Sequence, residues 1–285
     1  MNKKTYDIIF LSLAQNCASS LYLYFNFLKT FPKNLKKKII IAENNSKDNT
    51  RDVILNFLKL NDEITLIKTD FLNTVDERIL RITKGRSFLQ KYIIKNNLRS
   101  RFVCLIDLDD VLNKNMKFKD FNKILLELKN KEKILNGISV KSKPFYYDIL
   151  AFKCDKFYLP NILEMQRSKK IISAYSERKK YIYSLQRKIN KEKKLKTISS
   201  FNGLCVYNFK DYIKGDYFYK DSNKKKVTLN EHMKFNISLH HKNRKYIMIN
   251  DNFFLSTPNE HLPANSFFEF WNSKINSYIK KILKK

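Results

Sequence analysis

The chain has 285 residues, 43% of them hydrophobic, with only 4 Gly and 5 Pro. That length and composition provide for a sizeable core and exclude collagen-like, linker-rich and disordered classes. The formal charge of +30 comes from 47 Lys and 10 Arg against 27 acids. Lys, Asn and Ile are abundant throughout, so part of that excess is genomic bias. Sites built for phosphate or base readout lean on Arg, whose planar fork pairs bidentately. The remaining field attracts anionic partners: nucleotide sugars, acidic glycans, anionic lipids or nucleic acid. Cys17, Cys104, Cys154 and Cys205 form no CxxC pair. Buried reduced thiols in a reducing cytoplasm are expected.

MNKK followed by an apolar run superficially resembles a leader peptide, but Asp7 interrupts the run, and a first strand over 6–14 explains the same residues better. A helix is predicted over 18–30 with Ser19 or Ser20 as cap, a second strand over 37–43, and a helix opening from the polar turn NSKDNT. A third strand covers 64–70, a long helix 75–97, and a fourth strand runs through RFVCLIDLDD at 101–110. Alternating strands and helices at this spacing imply a mostly parallel sheet flanked by helices, whose ligands bind beyond the carboxyl ends of the strands. Further on, 137–153 reads as one or two strands around a Pro turn and 161–196 as a basic helical insertion. A turn and strand follow at 199–209 and a late strand at 245–251, and the tail from Phe267 is amphipathic. One compact unit is expected: a nucleotide-binding half (1–112), an acceptor half (113–260) containing the insertion, and a C-terminal helix (261–285).

The sharpest chemical feature is IDLDD. Asp107 and Asp109 have D-x-D spacing at the mouth of a buried strand, and carboxylates clustered there repel one another unless a cation is present. Mg²⁺ or Mn²⁺ takes such oxygens and shares its remaining positions with phosphates. In AENNSKDNT (42–50), Glu43 can hydrogen-bond a base or ribose edge, although a plain strand-to-helix turn capped by Ser46 or Asp48 is the better reading of the segment taken alone. Arg78, Arg81 and Arg86 are three of ten arginines gathered within nine residues, which points to diphosphate or base contacts. Glu231 and His232 form a carboxylate–imidazole pair suited to acid–base work. Glu231 could deprotonate an acceptor hydroxyl, and His232, His240 or His241 could add a metal ligand; for His240–His241 a surface turn is the better reading. Tyr147 and Asp148 could stack on and hydrogen-bond a sugar. Asn202-Gly203 is a turn, serving a hairpin or a close approach to the donor.

The order strand, ENNSKDNT turn, Arg-bearing helix, strand, DLDD resembles the nucleotide-binding half of GT-A glycosyltransferases. AENNSKDNT is similar to the VDDGSTDGT-type turn of glycosyltransferase family 2. KGRSF is similar to that family's Gly/Ala-Arg-Asn element, with Ser87 in place of Asn. PFYYDILAF, SSFNGLCVYN and EHMKFNISLHHKNRKYIMIND resemble elements of bacterial relatives of fungal capsule-associated mannosyltransferases, with Asn230 where those carry Cys. The resemblance spans about residues 6–255, broken by 161–196.

It implies a GT-A fold and a metal-dependent glycosyltransferase, of hexosyl type, moving sugar from a nucleoside-diphosphate donor to a glycan or lipid-linked acceptor in cell-surface polysaccharide synthesis. It places Asn16, Glu43, Asn45, Arg81, Arg86, Asp107, Asn202 and Gly203 at the donor, and Glu231 and Asp148 in catalysis. Asp107, Asp109 and His232 are the expected ligands of Mn²⁺ or Mg²⁺. The fungal relatives imply retention of anomeric configuration and family 2 implies inversion. Peripheral contact with the anionic inner face of a membrane is expected of the basic segment 161–196 and the KKILKK tail. The rival classes are a nucleotidyltransferase, for which SLAQNCASS lacks the Gly-rich phosphate loop, and a basic nucleic-acid-binding protein, for which no binding motif is present. No nucleic-acid partner is expected.

Overall fold

The computed structural model describes residues 5–59, 61–157, 175–220, 229–272 and 275–276. The first half follows the expected alternation: β1 (Thr5–Ala14), α1 (Ala18–Lys29), β2 (Lys37–Glu43), α2 (Thr50–Leu58), β3 (Ile64–Lys68), α3 (Arg78–Lys95) and β4 (Arg99–Ile106). Then come α4 (Phe118–Asn130), β5 (Leu135–Lys143), a π-helical turn (Arg178–Tyr183) continuing into α5 (Ser184–Lys191), and β6 (Lys194–Thr197). The chain continues through β7 (Leu204–Asn208), the short α6 (Phe209–Tyr212), α7 (Glu231–Asn243) and β8 (Tyr246–Ser256).

The eight strands form one sheet in the order β3-β2-β1-β4-β7-β5-β8-β6. β1 pairs in parallel with β2 and β4, β2 with β3, and β5 with β8, while β7 and β6 run against their neighbours. Six strands therefore end at the same edge. Successive strands first step outward from β1, and β4 then returns to its other side. This reversal is a topological switch point, and in α/β sheets the ligand crevice lies beyond the strand ends at such a point, here those of β1 and β4.

Both faces of the parallel half are buried, so its strands are continuous apolar runs. Ile8, Phe10, Ile39, Ile41, Cys104 and Ile106 face one layer with α1 and α4. Their neighbours Ile9, Leu11, Ile40, Val103 and Leu105 face the layer with α3 and α7. A third cluster joins Tyr146, Phe152, Ile182, Tyr183, Leu185 and Ile189 beneath the π turn and α5.

The departures from expectation are local. Ser19 and Ser20 do not cap α1. The Cys17 amide donates to Thr50 Oγ1 (2.7 Å) and the Ala18 amide to Asp48 Oδ2 (3.1 Å), so the turn before α2 also caps α1. Segment 137–153 holds one strand and ends at a cis Lys143–Pro144 bond. Within the segment read as a basic helical insertion, 178–191 is helical, 194–197 is the edge strand β6, and 161–174 lies outside the described residues. The KKILKK segment also lies outside them. All four cysteines are free; Cys17, Cys104 and Cys205 are buried and Cys154 is half-buried.

Candidate active site

At the β1 and β2 ends, two tight turns lock together. Asn16 and Asn45 both take left-handed backbone (φ 52° and 45°), a conformation Asn tolerates. The Asn16 amide donates to Ser46 Oγ (3.0 Å), and Asn16 Oδ1 accepts from the Lys47 amide (2.7 Å). Glu43 is completely buried. One of its oxygens accepts from the Ser46 amide (2.7 Å) and the other from Arg51 Nε (2.5 Å). Arg51 also pairs with Asp70 (2.7 Å), which accepts from the Asn45 amide. The Glu43 carboxylate thus holds the turn, while Asn16, Asn45, Arg51 and Asp70 form its accessible rim. Arg51 escaped the sequence reading, although the scarcity of Arg that marked the α3 trio marks Arg51 as well.

The β4 end lies at the centre of the crevice. The Asp107 amide donates to Gly203 O (2.9 Å), so the DLDD loop and the Asn202-Gly203 turn sit side by side. Arg86, 3% exposed, reaches from α3 to Asp107 Oδ1 at 2.5 Å, and its guanidinium lies 5.6 Å from the Phe201 ring centroid. Its Nε and Nη1 have no hydrogen-bond partner. Burial opposes the Arg86 charge, but Asp107 and Glu231 outweigh it and hold the group above its ordinary value. Arg78 is exposed at the start of α3 and its charge still reaches Asp107 and Glu231. Arg81 donates to the Val75 carbonyl (3.3 Å), which ties it to the helix entry.

Four carboxylates feel one another across the crevice. Burial pushes Asp107 up, with Glu231 adding to the rise and Arg86 opposing it. Asp109 is raised to about 7 by burial and by the charges of Asp107 and Asp110. Because Asp109 reaches solvent, the two like charges are the firmer cause. Asp148 is also raised to about 7, by burial and then by Glu231 and Asp107. Glu231 opens α7 and is raised by burial, against the pull of Arg86. Such a cluster is short of positive charge, which is the chemistry of a hard-cation site. Among the described residues, no three His, Cys, Asp or Glu side chains are close enough to hold a metal by themselves. Asp107, paired with Arg86, and Asp109 are two carboxylates at the end of β4, so phosphate oxygens and water would have to supply a hard cation's remaining ligands.

His232 is 2% exposed and stacked on Phe201 (centroids 3.5 Å, planes 13° apart). Burial and then Arg86 push its pKa far down, leaving a neutral imidazole whose nitrogens make no hydrogen bond, with Glu231 Oε1 3.5 Å from Nε2. The expected three-ligand set with Asp107 and Asp109 is not assembled. His240 and His241 lie at the far end of α7, bonded to Lys245 O (2.9 Å) and Tyr219 Oη (2.6 Å). They serve the fold there, in the last turn of a helix and not in the expected surface turn.

Asn202 is a correction of a different kind. It is completely buried rather than presented to a donor. Its Oδ1 accepts from the Tyr147 (2.9 Å) and Asp148 (3.2 Å) amides, and its Nδ2 donates to Val140 O and Ser142 Oγ. Asn202 therefore positions the Tyr147–Asp148 segment from below. Its own φ of 56° and the 81° of Gly203 are those of a type I′ turn. A Cβ on Gly203 would stand 2.7 Å from Tyr147 Oη, so the turn needs glycine on two counts. Asp148 is fixed by the Asn202 and Ala151 amides, both at 3.3 Å.

Neither a family model nor a curated protein matches the chain. Solved structures do. The chain is similar to the mannosyltransferase PcManGT from Pyrobaculum calidifontis, solved with GDP-Man and Mn²⁺ (9% identity, TM-score 0.51, 99% of this chain and 65% of that one). It also matches S. aureus TarS 1–349 (14% identity, TM-score 0.48, 94% and 63%). A third match is the glucosyl-3-phosphoglycerate synthase of Mycobacterium tuberculosis, solved with Mn²⁺, UDP and glucosyl-3-phosphoglycerate (9% identity, TM-score 0.46, 89% and 72%). The chain spans somewhat under two thirds of the first two structures. The likeness to PcManGT concerns the fold. Together with the β3-β2-β1-β4 order and the mostly parallel, helix-flanked sheet, it makes this an α/β chain of GT-A fold.

Proposed function

We propose that the chain is a metal-dependent glycosyltransferase that moves a hexose from a nucleoside-diphosphate donor to a hydroxyl of a glycan or lipid-linked acceptor, in the assembly of a surface polysaccharide. The observation that carries this reading is the Asp107–Asp109 pair at the switch point of a GT-A sheet, backed by a buried Arg86 and by two further raised carboxylates. The GDP-Man and Mn²⁺ bound by PcManGT support the donor class.

In this reading the base lies along the rim of Asn16, Asn45, Arg51 and Asp70, with Glu43 holding the turn. Arg81 steadies the entry to α3. Asp107 and Asp109 hold Mn²⁺ or Mg²⁺, which when bound neutralises the diphosphate leaving group. Arg86 fixes Asp107 from below. His232, neutral, stacks on the Phe201 ring that also lies beside the Arg86 guanidinium.

Asp148 is taken as the base, because its pKa of about 7 suits proton acceptance near neutrality; Glu231, also raised by burial with Arg86 opposing, is the second carboxylate open to that role. As the acceptor oxygen bonds to the anomeric carbon, its proton passes to the Asp148 carboxylate. The bond to the diphosphate breaks, with its electron pair leaving on the phosphate oxygen. The Gly203 turn brings backbone close to the sugar, and Tyr147 offers it a ring face. Chromatographic release of nucleoside diphosphate from a panel of nucleotide sugars, with Mn²⁺ or with chelator, tests the proposal. Turnover of one donor that the chelator stops is the expected result; no turnover of any, with no nucleotide bound, would contradict it.

A further inference from the structure

The tail after β8 leads from the crevice to an apolar stripe. His261 stacks on Tyr147 with centroids 5.1 Å apart, and its carbonyl accepts from Gln186 (3.4 Å). Residues 267–272 and 275–276 beyond it are helical. Phe270 is the seated residue: 4% exposed, it packs against Tyr175 (5.4 Å) and Arg178 (5.9 Å). Phe268, Trp271 and Ile275 are instead 68%, 39% and 40% exposed. Their i, i+3, i+7 spacing makes one stripe, turned away from Phe270, and the Phe268 and Trp271 rings meet edge-on at 6.1 Å.

The helix that seats this tail exposes Lys179, Lys180, Arg187, Lys188 and Lys191. The acids nearby are Glu177, Glu260 and Glu269, and Glu269 accepts from the Asn265 amide (2.7 Å). The helix on which Phe270 is seated thus carries five exposed cations, in a chain whose net charge is +30. Three side chains are far fewer than the ~20–30 residues a stable protein interface takes from each partner. An aromatic stripe bearing Trp and bordered by cations is the pattern of a surface that enters the headgroup layer of a bilayer.

We propose that Phe268, Trp271 and Ile275, with the flanking cations, seat this protein on an anionic lipid surface, bringing the mouth of the crevice to the headgroups. The inference does not depend on sugar transfer, because lipid contact is read separately from nucleotide binding.

Trp271 is the chain's single tryptophan, so its emission reports the contact directly. The full chain is mixed with vesicles of phosphatidylcholine alone or with added phosphatidylglycerol, and flotation is run in parallel. A blue shift and co-flotation with the anionic vesicles only are expected. Phe268→Ser with Ile275→Ser should weaken that binding about tenfold or more with the melting temperature unchanged. Lys179→Glu with Lys180→Glu should weaken it independently and reduce its salt dependence. The proposal is overturned by an absent or headgroup-independent response, by binding indifferent to both pairs of substitutions, or by a shift without lipid that accompanies a doubling of mass, which would make the stripe a self-association surface.

Discussion

At the residue scale, protonation decides how the crevice behaves. Asp148 has a folded pKa near 7, above the ordinary carboxylate value. The native state therefore holds this proton more tightly than the unfolded chain does. Its stability contribution is fully present below pH ~4 and is lost as pH rises through ~7. Asp148→Asn removes the charge and keeps only one of the two acceptor oxygens, since the Ala151 amide donates to Oδ1 and the Asn202 amide to Oδ2. The substitution is expected to change the melting temperature a few degrees more favourably at pH 8 than at pH 5, in thermal melts without metal. Sugar transfer should fall by about 100-fold or more while nucleotide affinity stays within a few-fold. A loss of nucleotide affinity as large as the loss of rate would move Asp148 out of the base role. Arg86 makes the opposite case, because Asp107 and Glu231 lose their counter-charge without it. Arg86→Ala should cost about 3 kcal/mol in urea unfolding, as breaking a buried pair does. Divalent cation should restore more of that loss than it adds to the wild type.

At the element scale, the turns at the strand ends set the geometry. Gly203 combines φ of 81° with a Tyr147 hydroxyl where a Cβ would go. Gly203→Ala should therefore destabilise by roughly 1–3 kcal/mol and impair transfer by shifting Tyr147, whereas the methyl of Gly85→Ala meets the flexible side-chain ends of Leu13 and Leu72. Comparing the two by urea midpoint and by rate separates the strained turn from mere crowding. The elements themselves were largely legible in the sequence. Buried β-branched runs such as KKIIIAE and the IDLDD ending fix strand positions and the edge that bears the site. Contacts made across the sheet were not legible. Nothing in the spacing of Asn202 indicates that its amide bonds Tyr147 and Asp148, residues more than fifty positions earlier. Glu43 reads as an exposed base reader until Arg51 is seen to occupy it. His232 reads as a ligand until Phe201 covers its face. In each case the deciding neighbour is distant in sequence or lies on another element, and although the scarcity of Arg singles out Arg51, nothing in the sequence pairs it with Glu43.

At the scale of the whole molecule, the two halves of the sheet divide the work. The β3-β2-β1-β4 half presents the Asn16, Asn45 and Asp107 ends, and the β7-β5-β8 half brings Asp148, Gly203 and the base of α7 against them. The central claim is that this junction binds a nucleoside diphosphate through a cation held by Asp107 and Asp109. The direct measurement is calorimetric titration of GDP and UDP into wild-type protein and Asp109→Asn, each with Mn²⁺ and with chelator. Affinity for one nucleotide should rise by about tenfold or more with Mn²⁺ in the wild type and fail to rise in Asp109→Asn, whose melting temperature should be no lower. Binding equal with and without Mn²⁺, or an Mn²⁺ response intact in Asp109→Asn, would contradict the account.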